Sequence, residues 1–149
     1  MAHVLGSPYK GLTKSAVIQA FDRGTQDIEE GLVVTQLTAT SIKRYAGGTD
    51  IPTGVMAGTE HKGFSACFVG IEVFVQVDDA VEQIEITDKV YVTADGKFTN
   101  VAAGNNTQVN AVWGADVSGA TLWTDGIVNT GANKRTNQKC GMITFRGGF

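Results

Sequence analysis

One stretch constrains the fold more than any other: Gln83 to Val101, QIEITDKVYVTADGKFTNV. At its centre an Asp95-Gly96 pair stands between VYVTA and KFTNV, two runs rich in β-branched and aromatic residues. Asp-Gly suits a two-residue turn, because both central positions require φ > 0 and these two residues tolerate that region best. Val, Tyr, Phe and Thr favour the flanking strands. The stretch therefore predicts a β-hairpin. With a two-residue loop, Val90, Val92, Thr99 and Val101 share one face, and Tyr91, Thr93, Phe98 and Asn100 share the other. Both faces then carry large apolar groups, more than a singly buried sheet requires. Either the hairpin lies inside a sandwich, or its aromatic face meets a partner.

The rest of the chain carries the same period. From Ala66 to Val77, ACFVGIEVFVQV, the odd positions Cys67, Val69, Ile71, Val73, Val75 and Val77 form an aliphatic face. Such alternation is the pattern of a strand lying on a core. Further strands are expected at Ser15 to Asp22, Leu32 to Leu37, Val109 to Trp113 and Lys139 to Arg146. Pro52, in Ile51-Pro52-Thr53-Gly54, marks an edge or a connection, since proline donates nothing to a ladder. Gly114 to Asn137 reads as a long excursion with one strand near Thr121 to Trp123, and Gly147-Gly148-Phe149 as a flexible aromatic end. Met1 to Lys14 has no periodicity and reads as an extended arm, either a frayed terminus or a segment laid across a neighbour, in which Val4, Leu5 and Tyr9 offer contact area. The expected fold is all-β: one antiparallel β-sandwich or β-barrel over residues 15–149, preceded by the arm at 1–14. Ile28 to Thr35 also echoes Ile86 to Thr93, as two similar β-halves or ordinary strand-turn composition would produce.

Composition narrows the function classes. A chain of 149 residues with net charge −3 and a pI near 5.3 does not suit a polyanion, so no direct nucleic-acid partner is expected. Charged residues make up only 18% while glycine reaches 19 residues, which fits short strands, tight turns and surface buried against other subunits. No run approaches a membrane span, and the first residues lack the apolar core of a signal peptide, so synthesis in the cytoplasm is expected. Cys67 and Cys140 each lie in an apolar run, as two buried thiols or as a disulfide pair.

Residues for chemistry are sparse. His3 lies in the arm and His61 in a charged loop, each without a local orienting partner for acid–base work. No GxSxG turn and no CxxC spacing occurs, so no catalytic residue, metal ligand or cofactor is named. Asp78, Asp79, Glu82, Glu85 and Asp88 do not follow a calcium-loop spacing and read as solvated turns. Lys134, Arg135, Lys139 and Arg146 make a locally basic end, either solvated or facing an acidic neighbour. Trp113 and Trp123 leave open a carbohydrate- or receptor-binding module.

In Ile86 to Thr99, followed by a strand from Val109 to Gly114 and a terminal strand ending near Arg146, the chain resembles the small bacteriophage capsid decoration, or cement, proteins. Gly31 to Val34, Ile51 to Val55 and Gly70 to Val75 stand in a similar order. The resemblance implies a non-enzymatic β-rich subunit that binds the outer face of an icosahedral capsid and bridges major capsid proteins. It also implies a homo-oligomer, dimer or trimer, made in the host cytoplasm and carried on the virion. Apolar and aromatic groups on otherwise polar, glycine-rich segments then become the interface candidates: Val4, Leu5, Tyr9, Tyr91, Phe98 and Phe149.

Overall fold

The computed structural model describes residues 3–6, 28–38, 41–56, 65–66, 72–129 and 134–146. All regular structure among them is β, in several sheets of which none closes into a barrel. The expected strand Ser15 to Asp22 and the Cys67 to Ile71 part of the long aliphatic run lie outside the described residues, as do His61, Tyr9 and Phe149.

The main sheet is built on one long strand. Among the described residues twelve strands run in chain order: β1 (His3–Val4), β2 (Val33–Gln36), β3 (Ile42–Arg44), β4 (Gly54–Met56), β5 (Ser65–Ala66), β6 (Glu72–Gln76), β7 (Tyr91–Val92), β8 (Phe98–Thr99), β9 (Thr107–Gln108), β10 (Ala111–Trp113), β11 (Leu122–Val128) and β12 (Arg135–Phe145). Along one edge of β12 lie β11 and then β10, end to end, while β6 pairs with the opposite edge; all three are antiparallel to it. The outermost strand, β1, runs parallel to β11, with His3 beside Gly126 and Val4 beside Ile127. That pairing departs from the all-antiparallel expectation. It also docks residues 3–6 of the expected arm onto the sheet: Leu5 is 0% exposed, and Gly6 N donates to Phe74 O at 2.9 Å.

Two smaller sheets complete the fold, in the orders β3-β2-β4-β5 and β8-β7-β9. In each, the strand from the echoed sequence segment sits between the two strands that follow it. The three sheets join through backbone hydrogen bonds, Gln76 N to Gly31 O, Val33 N to Gly96 O and Asp78 N to Phe98 O. The principal core draws on all of them: Val33 and Val55, then Val73, Val75 and Val77, then Val92 and Phe98. The odd-numbered valines of β6 thus lie where their alternation placed them. The even positions Phe74 and Gln76 are buried too. A second cluster of Leu5, Phe74, Val128, Cys140 and Met142 covers the other face of the main sheet.

Two Asp-Gly pairs behave differently. At Asp95-Gly96, Gly96 N donates to Thr93 O at 3.0 Å and Thr93 N to Lys97 O at 2.8 Å, with Gly96 at φ +82°. The loop is therefore three residues, Ala94-Asp95-Gly96, closed by a left-handed glycine. At Asp125-Gly126 the chain does not turn. The register passes from Trp123 opposite Cys140 to Gly126 opposite Gln138, so Thr124 and Asp125 together face Lys139 in a bulge. The region read as an excursion thus holds a seven-residue strand; its apolar positions, Leu122, Trp123, Ile127 and Val128, break their alternation at the bulge.

Gly126 tolerates no side chain. A β-carbon there would stand 2.5 Å from Gln138 O and 3.3 Å from Cys140 Sγ. Gly126→Ala should destabilise the chain by about 2–3 kcal/mol through overpacking against backbone. Urea denaturation reads this directly; a change within about 0.5 kcal/mol, the range of an ordinary surface substitution, would contradict so close an approach.

Candidate functional site

Two places bring chemistry-bearing residues together. The first is an open groove of about 930 Å³ between the Asp50–Pro52 loop, the Ile86–Val90 segment and the stretch Thr107–Val112. Its walls are fastened by carboxylates. Asp50 accepts from Lys43 Nζ at 2.8 Å and from Ala46 N at 3.0 Å. The Lys43 hydrogen bond, then that from Ala46 N, holds the Asp50 carboxyl below its ordinary value. Across the groove, Asp88 accepts from Glu85 N at 2.9 Å and from Asn100 Nδ2 at 2.8 Å. Trp113 Nε1 donates to Lys89 O at 3.2 Å. These bonds hold two isoleucines out in water, Ile51 at 61% and Ile86 at 57% exposure. Residues of β9 and β10, each at the edge of its sheet, line the same groove.

The second place is a cluster on the main sheet. His3 Nδ1 lies 2.7 Å from Asp125 Oδ1. A His3 ring nitrogen, an Asp125 oxygen and Cys140 Sγ all lie within 4.8 Å of one another, the one such group found among the described residues. Three strands deliver them: β1 brings His3 beside Gly126, the β11 bulge holds Asp125, and β12 supplies Cys140. The His3 ring lies 4.6 Å from Trp123 and edge-on to Phe74 at 5.0 Å, centroid to centroid. Cys140 is a free, buried thiol whose pKa is pushed up to about 12, chiefly by burial and further by the Asp125 charge. Such a thiol is a poor nucleophile without help.

The interface candidates separate by burial. Phe98 is 0% exposed in the principal core, which corrects its placement on a partner-facing surface. The reason is the extra loop residue: Val92 pairs with Phe98, and Tyr91 with Thr99, so Phe98 moves to the valine face. Leu5 is likewise inside, in the second cluster. Val4, at 38% exposure, and the half-buried Tyr91 remain accessible. Trp113 is buried, so it presents no face to a sugar, and Trp123 packs on His3. Arg135 and Lys139 are not merely solvated: Arg135 pairs with Glu29, and Lys139 Nζ donates to the carbonyls of Asp79 and Val81.

Neither place was legible as a site in the sequence. Ile51 lies in a turn segment and Ile86 in the hairpin stretch, with nothing local to join them, and His3 lies 122 residues from Asp125. No local spacing announces a cluster assembled across three strands.

No family model matches the chain, and neither the curated proteins nor the solved structures contain a significant match.

Proposed function

We propose that this chain is a non-catalytic structural subunit that binds the outer surface of an icosahedral bacteriophage capsid and bridges major capsid proteins. The observation that carries the reading is the groove: two exposed isoleucines on fastened loops share its lining with two edge strands. An extended segment of a capsid protein laid there gains apolar burial from Ile51 and Ile86 and main-chain hydrogen bonds from the edges. The resemblance at Ile86 to Thr99 supports the same role, since the first part of that stretch, Ile86 to Val90, lines the groove.

Binding of this kind stabilises the shell by linkage, because the subunit engages the assembled lattice and not its open form. A dimer or trimer on the lattice adds avidity. The subunit is made in the host cytoplasm and ends on the virion surface, and its binding requires no cofactor, membrane or nucleic acid. The reading also takes the domain as a β-sandwich, supported by a core that draws side chains from all three sheets.

The test is the double variant Ile51→Asp/Ile86→Asp. Each isoleucine contributes about 1.5 kcal/mol when buried, roughly tenfold in affinity, so together they should lower capsid occupancy by about a hundredfold. The isolated chain should keep its thermal midpoint, because both side chains stand in water. Occupancy equal to wild type on purified capsids would overturn the groove as the contact.

A further inference from the structure

We infer that His3, Asp125 and Cys140 form a divalent transition-metal site, of the kind zinc takes, that clips the first strand onto the main sheet. The donor set is one imidazole nitrogen, one carboxylate oxygen and one sulfur, all within 4.8 Å of one another. Mixed nitrogen, oxygen and sulfur ligation at tetrahedral angles suits Zn²⁺ and disfavours the hard, oxygen-seeking Ca²⁺ and Mg²⁺. Two ligands each about 2.1 Å from one ion stand about 3.4 Å apart at the tetrahedral angle. The 2.7 Å contact between His3 Nδ1 and Asp125 Oδ1 is a direct hydrogen bond, and a side-chain rotation that opens it to the ligand spacing admits the ion. Three protein donors leave a fourth position for water.

The surroundings fit a built site. The bulge at Thr124 and Asp125 sets the carboxylate against the register of its strand, as bulges commonly do beside functional groups. Gly126 keeps the space beside Cys140 Sγ open, since any β-carbon there would stand 3.3 Å from the sulfur. Trp123, Phe74, Leu5 and Met142 supply an apolar shell that restricts water around the donors. The metal also answers a structural weakness. β1 has only two residues, His3–Val4, and a pairing that short is weak by itself. An ion bound to all three side chains closes a chain loop of more than a hundred residues and fixes β1 in register.

Cobalt(II) replaces zinc in such sites and reports a bound thiolate through a sulfur-to-metal charge-transfer band in the near ultraviolet. Titrating the full-length chain with CoCl₂ should give that band, saturating at one ion per chain and abolished by excess ZnCl₂. Cys67→Ala should keep the band and Cys140→Ser should lose it. His3→Ala and Asp125→Asn, at positions only partly buried, should each weaken zinc binding by more than about tenfold, since even partners outside the ligand sphere are worth that much. Zinc should also raise the thermal midpoint of wild type but not of His3→Ala. Absence of the band in wild type overturns the proposal whether or not Cys140→Ser folds. So does a band that follows Cys67, or zinc affinity unchanged in both His3→Ala and Asp125→Asn.

Discussion

Phe98→Ala lowers the stability of the isolated chain by about 4 kcal/mol, the range for truncating a fully buried phenylalanine. Phe98 is 0% exposed and packs in the principal core with Val33, Val92 and other residues of all three sheets. A cavity there has no local way to collapse. The strand carrying Phe98 is two residues long, and its backbone is fixed by the pairing to β7 and by the bond from Asp78 N to Phe98 O. Against a usual total of about 5–15 kcal/mol, the loss is a large fraction of the whole. It corresponds to a fall of about 12 °C in the thermal midpoint for a chain of this size. Urea titration should show a lower midpoint with an unchanged slope. The outcome discriminates between two registers of the hairpin. If the loop were two residues, Phe98 would share the Tyr91 face, and its loss would move capsid binding while leaving the isolated chain within about 0.5 kcal/mol of wild type.

Arg135→Ala costs about 3 kcal/mol. The guanidinium donates to both oxygens of Glu29, at 2.9 and 3.2 Å, and to Gln138 Oε1 at 2.7 Å. Gln76, fully buried on β6, donates its amide to Glu29 Oε1 and to Glu30 O, each at 3.0 Å. The network ties the segment leading into β2 to β6 and to the start of β12. Removing the arginine takes a positive charge and two hydrogen bonds away from a half-buried carboxylate, and the desolvation that carboxylate still bears, more than the lost attraction, sets the cost. Glu29→Gln together with Arg135→Met should recover a good part of the loss, because the charges leave as a pair. A double-mutant cycle by urea denaturation measures the coupling. Strictly additive single effects would show that the two groups do not act as a unit.

How far each feature was legible depends on the range of the interactions that specify it. The Val73, Val75 and Val77 face was plain because side-chain alternation is a local property of a strand. The turn at Gly96 was plain for a similar reason, since a glycine at positive φ is a local demand. Its length was not. A two-residue and a three-residue loop share the same Asp-Gly signal, and the difference exchanges the faces of Tyr91 and Phe98 relative to each other. Burial of Phe98 among valines from three sheets selects the longer loop, and that selection is tertiary. β11 was under-read because its bulge breaks the alternation on which strand assignment relies. Arg135 looked like part of a basic end because its partner, Glu29, lies 106 residues earlier.

By itself, then, the sequence determined that the chain is all-β, where it turns at Gly96, and which face of β6 carries valines. These follow from backbone sterics and a period of two, both decided within a few residues. Only the tertiary structure decided that Asp95-Gly96 ends a strand while Asp125-Gly126 bulges within one. The identical dipeptide permits both, and pairing with β12 across a dozen residues or more makes the choice. The same long-range pairing draws His3, Asp125 and Cys140 to one spot. Convergence across strands is a property of the sheet, and no stretch of the chain contains it.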